Sequence, residues 1–402
     1  MHIAILGPSD RSYTINHLDN YSLEMLPTGI MGAPFIGIII NELLNSGHKV
    51  TAITTSVAIS NDYEIRKFYN GNFTWVVVPS RPRSFAMNGW KVGRIVDLYG
   101  YEQQRLKECI IESNADFVHA HWSYEFAGAA LKSGLPCLVT VHDNAFKVLR
   151  YFKNGYRFGR LLLSEIILRK VRFASTVSPY MIPYIKRHCN ATKLISNPVV
   201  IGTTKSDLEL LIDLRCNSLL APKLIMINNG WNSLKNGKVV LQAFEKLLQK
   251  IPAATLHLYG DGTEEGGLAN KDASKIGIEK IFFHGIKPHK ELLAEIKNAH
   301  LLIHPSLEES FGVVLIEAMS CGLPTVGGQK SGAVPWVINE KQLLIDVTSE
   351  DKIVNKLTEI LGNVNLYKNI SYSVYENVVT RFSSNFIVNE YVNYYQEIKK
   401  DW

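Results

Sequence analysis

HLLIHPSLEESFGVVLIEAMSCGLP, residues 300–324, decides how the rest of the chain is read. The apolar run Leu301–His304 predicts a buried parallel strand, which breaks at Pro305-Ser306. A helical pattern begins after Ser310 and stops at Gly322-Leu323-Pro324. A strand, a loop and then a helix start bring backbone N–H groups and a positive dipole end to face an anion. Two carboxylates flank the start: Glu309 just before it and Glu317 further along. At ~1.5 Å rise per residue, Glu317 lies roughly 9 Å up the axis from Phe311, about the span from a diphosphate to a ribose. A diphosphate on the amides of Ser310, Phe311, Gly312 and Val313 would then have a sugar at Glu309 and ribose hydroxyls at Glu317, a carboxylate being a common partner for a ribose.

Two glutamates at that spacing are common as a solvated helical pair. The surrounding pattern is not: within HPS-x-x-ESFG-x-x-x-IEAM-x-x-G-x-P the chain resembles the retaining GT-B glycosyltransferases of family 4, the "glycosyl transferases group 1" proteins. The resemblance covers nearly the whole chain. It implies an α/β fold of two Rossmann-like domains whose parallel sheets face each other across a cleft.

With 402 residues the chain is long enough for two domains, and 46% hydrophobic and 20% charged residues are ordinary for a globular protein. A net charge of +6 suits anionic ligands or membrane surfaces without requiring either. Cys109, Cys137, Cys189, Cys216 and Cys321 are scattered with no C-x-x-C, so neither a zinc site nor a disulfide framework is expected. The chain opens directly into a strand, and the apolar run Phe35–Ile40 is too short to cross a bilayer. A cytoplasmic protein is expected, with a peripheral position at the inner face of a membrane as its one membrane association.

Strand-like runs alternate with amphipathic segments throughout, which predicts parallel sheets. Strands are expected at His2–Leu6, Lys49–Thr54, Thr74–Val78, Asp116–Ala120, Cys137–Val141, Ala174–Val177 and Lys193–Ile195. A second series starts at Lys223–Ile227 and runs through Thr255–Tyr259, Lys280–His284, Leu301–His304, Thr325–Val326 and Leu343–Ile345. This predicts an N-terminal domain over 1–205 and a nucleotide-sugar domain over 206–382. By the resemblance, the helical, aromatic-rich segment 383–402 crosses back onto the first domain.

Several loops carry the chemistry. Asn229–Gly237 (NGWNSLKNG) follows a strand and precedes a helix, so Gly230, Asn236 and a cation, Lys235, can meet a diphosphate. The family has G-R-x(3–4)-K-G/N here; Lys235 fits, but Trp231 or Asn232 stands where its arginine would be. Gly260-Asp261-Gly262 resembles the family's loop beside the nucleobase, and Gly285, after Phe282-Phe283-His284, its F-x-G turn, where a side chain would clash with a base or with backbone. Gly29-Ile30-Met31-Gly32-Ala33-Pro34 opens a helix; in the family this loop lies between acceptor and donor phosphate. Thr140-Val141-His142-Asp143 matches T-x-H-D, whose histidine sits at the donor sugar and phosphate. His119 and His121 are expected on opposite strand faces, hence structural or acceptor-side rather than a metal pair.

The implied catalytic residues are therefore His142, Lys235 and Glu309. No metal and no cofactor are expected, and the donor is a nucleotide diphosphate sugar, a UDP-sugar first among them. The acceptor would be a glycan or a lipid-linked hydroxyl, in polysaccharide or glycolipid assembly. A sugar-nucleotide epimerase of the same architecture and a non-catalytic nucleotide-sugar-binding subunit are the alternatives. Finally, residues 147–173 carry Lys147, Arg150, Lys153, Arg157, Arg160, Arg169, Lys170 and Arg172 against one acid, Glu165, interleaved with aromatic and aliphatic residues. Such basic amphipathic segments bind anionic membranes. No nucleic-acid motif is present.

Overall fold

A computed structural model describes residues 1–59, 64–83 and 92–402, which divide into two compact units. The first comprises Met1–Pro198 together with Ser384–Trp402, and the second Val199–Ser383.

The strands of the first unit are β1 (His2–Leu6), β2 (Lys49–Ser56), β3 (Arg66–Asn70), β4 (Phe73–Pro79), β5 (Phe117–His121), β6 (Cys137–Val141), β7 (Ala174–Thr176) and β8 (Thr192–Leu194). They form one sheet in the order β3-β4-β2-β1-β5-β6-β7-β8. All neighbours are parallel except β3, which pairs antiparallel with β4. The sequence reading missed β3. Its RKFYN run has no continuous apolar signal because it is an edge strand facing solvent. The central strands β1, β5 and β6 are apolar runs because helices cover both faces.

The second unit has β9 (Lys223–Ile227), β10 (Thr255–Tyr259), β11 (Ile281–Gly285), β12 (Leu301–His304), β13 (Thr325–Gly328) and β14 (Leu344–Ile345). Their order, β11-β10-β9-β12-β13-β14, is the doubly wound Rossmann order. In each sheet the order reverses once, between β1 and β5 and between β9 and β12. Loops leaving the C-terminal ends of the two strands at such a reversal diverge and open a crevice. That crevice fixes where chemistry can occur.

The division between the units falls at Pro198–Val199, earlier than the expected 205/206. Val199 bridges Ser383 and donates its N–H to Phe382 O at 2.8 Å, while the Tyr375 hydroxyl donates to Thr203 O at 2.7 Å. Residues 199–205 therefore take their hydrogen bonds from the second unit.

The last helix, Ser384–Asp401, completes the first unit through its aromatic face. The Tyr395 ring lies 4.6 Å from that of Phe117, tilted by 33°, and its hydroxyl meets His119 Nδ1 at 2.7 Å. The hydroxyls of Tyr391 and Tyr394 donate to Ile195 O and Ala191 O. Removing the Tyr395 hydroxyl alone, in Tyr395→Phe, leaves a fully buried His119 nitrogen without its partner. The cost should be about 1–3 kcal/mol, read as a lower thermal midpoint. An unchanged midpoint would show that the helix is held by its ring contacts alone.

Candidate active site

In the second unit the two loops at the sheet reversal are those after β9 and β12. They are tied together by backbone: Leu307 N–H donates to Leu234 O at 2.9 Å. Asn236, in the left-handed region at φ +52°, donates its side-chain amide to Val347 O at 2.9 Å and Pro305 O at 3.3 Å. On this frame the Lys235 ammonium forms a short charge-assisted bond to Glu309 Oε1. His304 Nε2 comes within 3.4 Å of the same oxygen without hydrogen-bond alignment. Burial alone would push the Glu309 carboxyl up, but Lys235 and His304 outweigh it and hold it far below the usual carboxylate range. The result is an ionised glutamate and a cation fixed side by side at the mouth of the sheet.

Glu309 is also anchored from behind, its carbonyl accepting from Ala333 N–H at 2.9 Å. Ser310 and Phe311 continue the loop. The Phe311 side chain is buried among Trp336 and Phe382, which leaves its backbone as the part of the residue in the loop. Gly312, at φ +86°, turns into a helix that starts at Val313, later than expected, and ends at Met319; no side chain caps its first amides. Glu317 lies on that helix, 6% exposed, and its Oε1 meets His289 Nε2 at 2.7 Å. Neither His304 nor His289 was singled out from sequence. His304 was legible as the strand-end histidine of the HPS motif, whereas nothing local pairs His289 with a glutamate 28 residues on.

The loop after β9 explains the missing arginine. Trp231 turns away, its indole N–H donating to Asp272 at 3.0 Å and its ring lying over Gly237. Asn232 accepts from the amides of Leu234 and Lys235. Both are committed to shaping the loop, so neither stands in for a second cation. Gly230 sits at its start in the left-handed region. Sterics demand a glycine at Gly260, because a Cβ would lie 1.7 Å from Asn228 O. Its N–H donates to Gly285 O, so the Gly260–Gly262 loop and Gly285 form one layer. A Cβ at Gly285, which is in the left-handed region at φ +62°, would meet Glu264, 3.1 Å from its Cβ and 3.5 Å from its backbone Cα.

In the first unit, Gly29 packs on the loop after β1, where a Cβ would lie 2.2 Å from Ser9 O; Gly32 stands in open space before the helix Pro34–Asn45. His142 follows β6, stacked on Phe35 at 4.8 Å, with its Nε2 2.9 Å from His121 Nδ1. His119 and His121 are on the same face, ring centroids 4.1 Å apart, which corrects the expectation of opposite faces: side chains alternate along a strand, so residues two apart share one. Burial pushes His142 down to about 3 and holds His119 and His121 far below the ordinary histidine value, so all three are neutral at pH 7. Among the described residues, no group of three His, Cys, Asp or Glu side chains is placed to hold a metal ion.

Two Rossmann-like units, each with its loops gathered at a sheet reversal, define the GT-B glycosyltransferase fold. The comparisons with known proteins agree. "Glycosyltransferase Family 4" matches residues 35–201 and "Glycosyl transferases group 1" residues 221–377, and the chain belongs to that family. It is similar to the N-acetyl-alpha-D-glucosaminyl L-malate synthase of Bacillus anthracis, 30% identical over 44% of this chain and 46% of that one. An uncharacterized glycosyltransferase of Methanocaldococcus jannaschii is 22% identical over 84% of this chain and 88% of its own. The Schizosaccharomyces pombe gpi3 subunit of a phosphatidylinositol N-acetylglucosaminyltransferase is 24% identical over 36% of this chain, so the chain spans under half the length of the first relatives it matches. Among solved structures, sucrose-phosphate synthase from Thermosynechococcus elongatus superposes with a TM-score of 0.75 at 16% identity over all of both chains. Anabaena HepE in complex with UDP gives 0.65 at 17% identity, over 99% of this chain and 100% of that one.

The Lys235–Glu309 pair carries a pH signature. Because the folded state holds Glu309 below its unfolded value of about 4.5, its contribution to stability is full above that pH and fades as pH falls through the folded value. The stability gap between the wild type and Glu309→Gln should therefore be constant from pH 8 to 5 and close only in acid. Lys235→Met, which strands the carboxylate, should cost about 2–3 kcal/mol at pH 7, somewhat under a fully buried pair because both side chains retain some exposure. Thermal midpoints against pH test both; a gap that widens in acid would show that the two groups do not pair.

Proposed function

We propose that the protein transfers a sugar from a nucleotide diphosphate sugar to an acceptor hydroxyl with retention of anomeric configuration. The observation that carries this reading is the Lys235–Glu309 pair on the two loops at the sheet reversal. A cation there suits the leaving diphosphate, and an ionised carboxylate beside it suits a sugar centre that gains positive charge as the glycosidic bond breaks. Glu317, bound to His289 on Oε1, keeps a second oxygen for ribose hydroxyls. The uncapped amides at Val313 add donors for the phosphates, and the Gly260–Gly262 and Gly285 layer is assigned to the base.

In the proposed step the acceptor oxygen attacks the anomeric carbon from the face the diphosphate leaves. The acceptor proton passes to the departing phosphate oxygen, giving a glycoside and a nucleoside diphosphate. Lys235 and backbone amides carry the leaving charge, so no metal is required. UDP is the base assignment favoured, since the structural neighbour HepE is described in complex with UDP and with UDP and glucose.

The two glutamates separate in their kinetics. Glu317→Ala should raise the Kd of the bare nucleoside diphosphate by about 1.5–3 kcal/mol, because its hydrogen bonds exist in ground and transition states alike. Glu309→Ala should lower kcat far more than it weakens that binding. Calorimetry with the bare diphosphate and turnover assays in EDTA, with and without acceptor, supply both numbers. Equal weakening of diphosphate binding by the two substitutions would refute the assignment, as would donor consumption that needs no acceptor.

A specific observation also favours a lipid-linked acceptor taken from the inner face of a membrane. On the helix Gly155–Leu168, Phe158, Leu162 and Ile166 are four residues apart and form one exposed stripe, 43–53% accessible, while Leu163, Ile167 and Leu168 are buried. Phe146, Arg150, Lys153, Arg169, Lys170 and Arg172 of the same segment are also exposed. Arg160 drops out of the expected basic set, its guanidinium turned inward 3.6 Å from the Tyr124 ring. Among the described residues no helix is long and apolar enough to cross a membrane. Co-sedimentation with anionic vesicles, weakened by salt and by Phe158→Asp with Leu162→Asp, is the expected result. Equal indifference to anionic and neutral vesicles at low salt would reject this acceptor class.

A further inference from the structure

His121 donates or accepts through Nδ1 to His142 Nε2 at 2.9 Å, and between two neutral imidazoles only one of those nitrogens carries the proton. The choice is settled at the other end of the His121 ring. His121 is fully buried, and its Nε2 has no hydrogen-bond partner. The wall there is apolar and tight: a Cβ on Gly7 would lie 2.7 Å from Ile36 Cδ1 and 3.5 Å from His121 Cδ2, the carbon bonded to Nε2. His119, the next ring, is already engaged through Nδ1 with Tyr395 and through Nε2 with Thr140. A buried N–H with nothing to receive it is rarer and costlier than a bare ring nitrogen. Nε2 of His121 is therefore the bare atom, its proton sits on Nδ1, and it donates to His142 Nε2. That leaves the proton of neutral His142 on Nδ1, which no described residue accepts.

We propose that His121 is a positioning residue that fixes His142 as the Nδ1–H tautomer, so that the loop after β6 presents substrate with a hydrogen-bond donor rather than a base. This deepens the function proposed above and rests on it for the identity of the substrate. A donor fixed in advance suits a sugar hydroxyl or a phosphate oxygen that gathers negative charge during departure. It also explains two neighbours: Phe35 stacked on His142 holds the ring plane, and Thr140 occupies His119 so that it does not compete for His121.

The test is the nitrogen spectrum of the full-length protein labelled with ¹⁵N-histidine, with His142 assigned by His142→Asn. The wild type should show His142 with a protonated Nδ1 and a bare Nε2. His121→Leu should release His142 to a mixture of tautomers and lower kcat roughly ten-fold with little change in KM. His121→Asn, whose amide N–H can reach the position of Nδ1, should restore the tautomer and bring kcat back to within roughly threefold of the wild type. A wild-type His142 protonated on Nε2 overturns the proposal, even if the leucine variant does not fold. So does a leucine variant that folds and keeps the wild-type tautomer. Because the spectrum needs no substrate, a protein that proves not to be a transferase would leave this result standing, and turnover with the wrong tautomer would refute only this proposal.

Discussion

Lys235 and Glu309 sit on different loops, separated by 74 residues, and neither is tolerable in its place without the other. Burial pushes the Glu309 carboxyl up, and the Lys235 ammonium hydrogen-bonded to it, with His304 close by, outweighs that burial and keeps it ionised. The loops are shaped around that pairing. Asn232 folds the first loop so that Lys235 emerges at its end, Asn236 pins it to Pro305 and Val347, and Leu307 closes the gap to Leu234. The sheet order places these loops on either side of the reversal, but the ion pair makes the opening charged rather than a gap that collapses.

The histidines follow the opposite principle. In the first unit, burial keeps His119, His121 and His142 uncharged, and their protons are distributed by hydrogen bonds rather than by pH. One unit thus offers fixed charge and the other fixed dipoles.

Most of the fold was legible because parallel strands buried on both faces leave continuous apolar runs, and every strand of that kind was located. Strand Arg66–Asn70 was not, since an exposed edge strand carries charged side chains where the others carry valine and isoleucine. The site was legible where chemistry and local spacing coincide, as with Lys235, Glu309, Glu317 and the glycine turns. It was illegible where two distant segments meet: His289 on Glu317, His121 on His142, and Trp231 on Asp272 are all tertiary facts. The packing of the Phe311 ring was illegible for the same reason, because only the Trp336–Phe382 cluster reveals it. The His119–His121 error was of another kind, an alternation rule applied one residue out of step.

The closing helix has a consequence for how the polypeptide comes into being. Synthesis proceeds from the N-terminus, and the second unit lies wholly between the two parts of the first. Residues 1–198 emerge early, yet Phe117 and His119 await Tyr395, and Ile195 O and Ala191 O await Tyr391 and Tyr394. On the ribosome the second unit can thus mature ahead of the first, whose sheet keeps an open flank until residues 384–401 have been made. For that interval the rings of Phe117 and His119 lack the cover that Tyr391 and Tyr395 later provide.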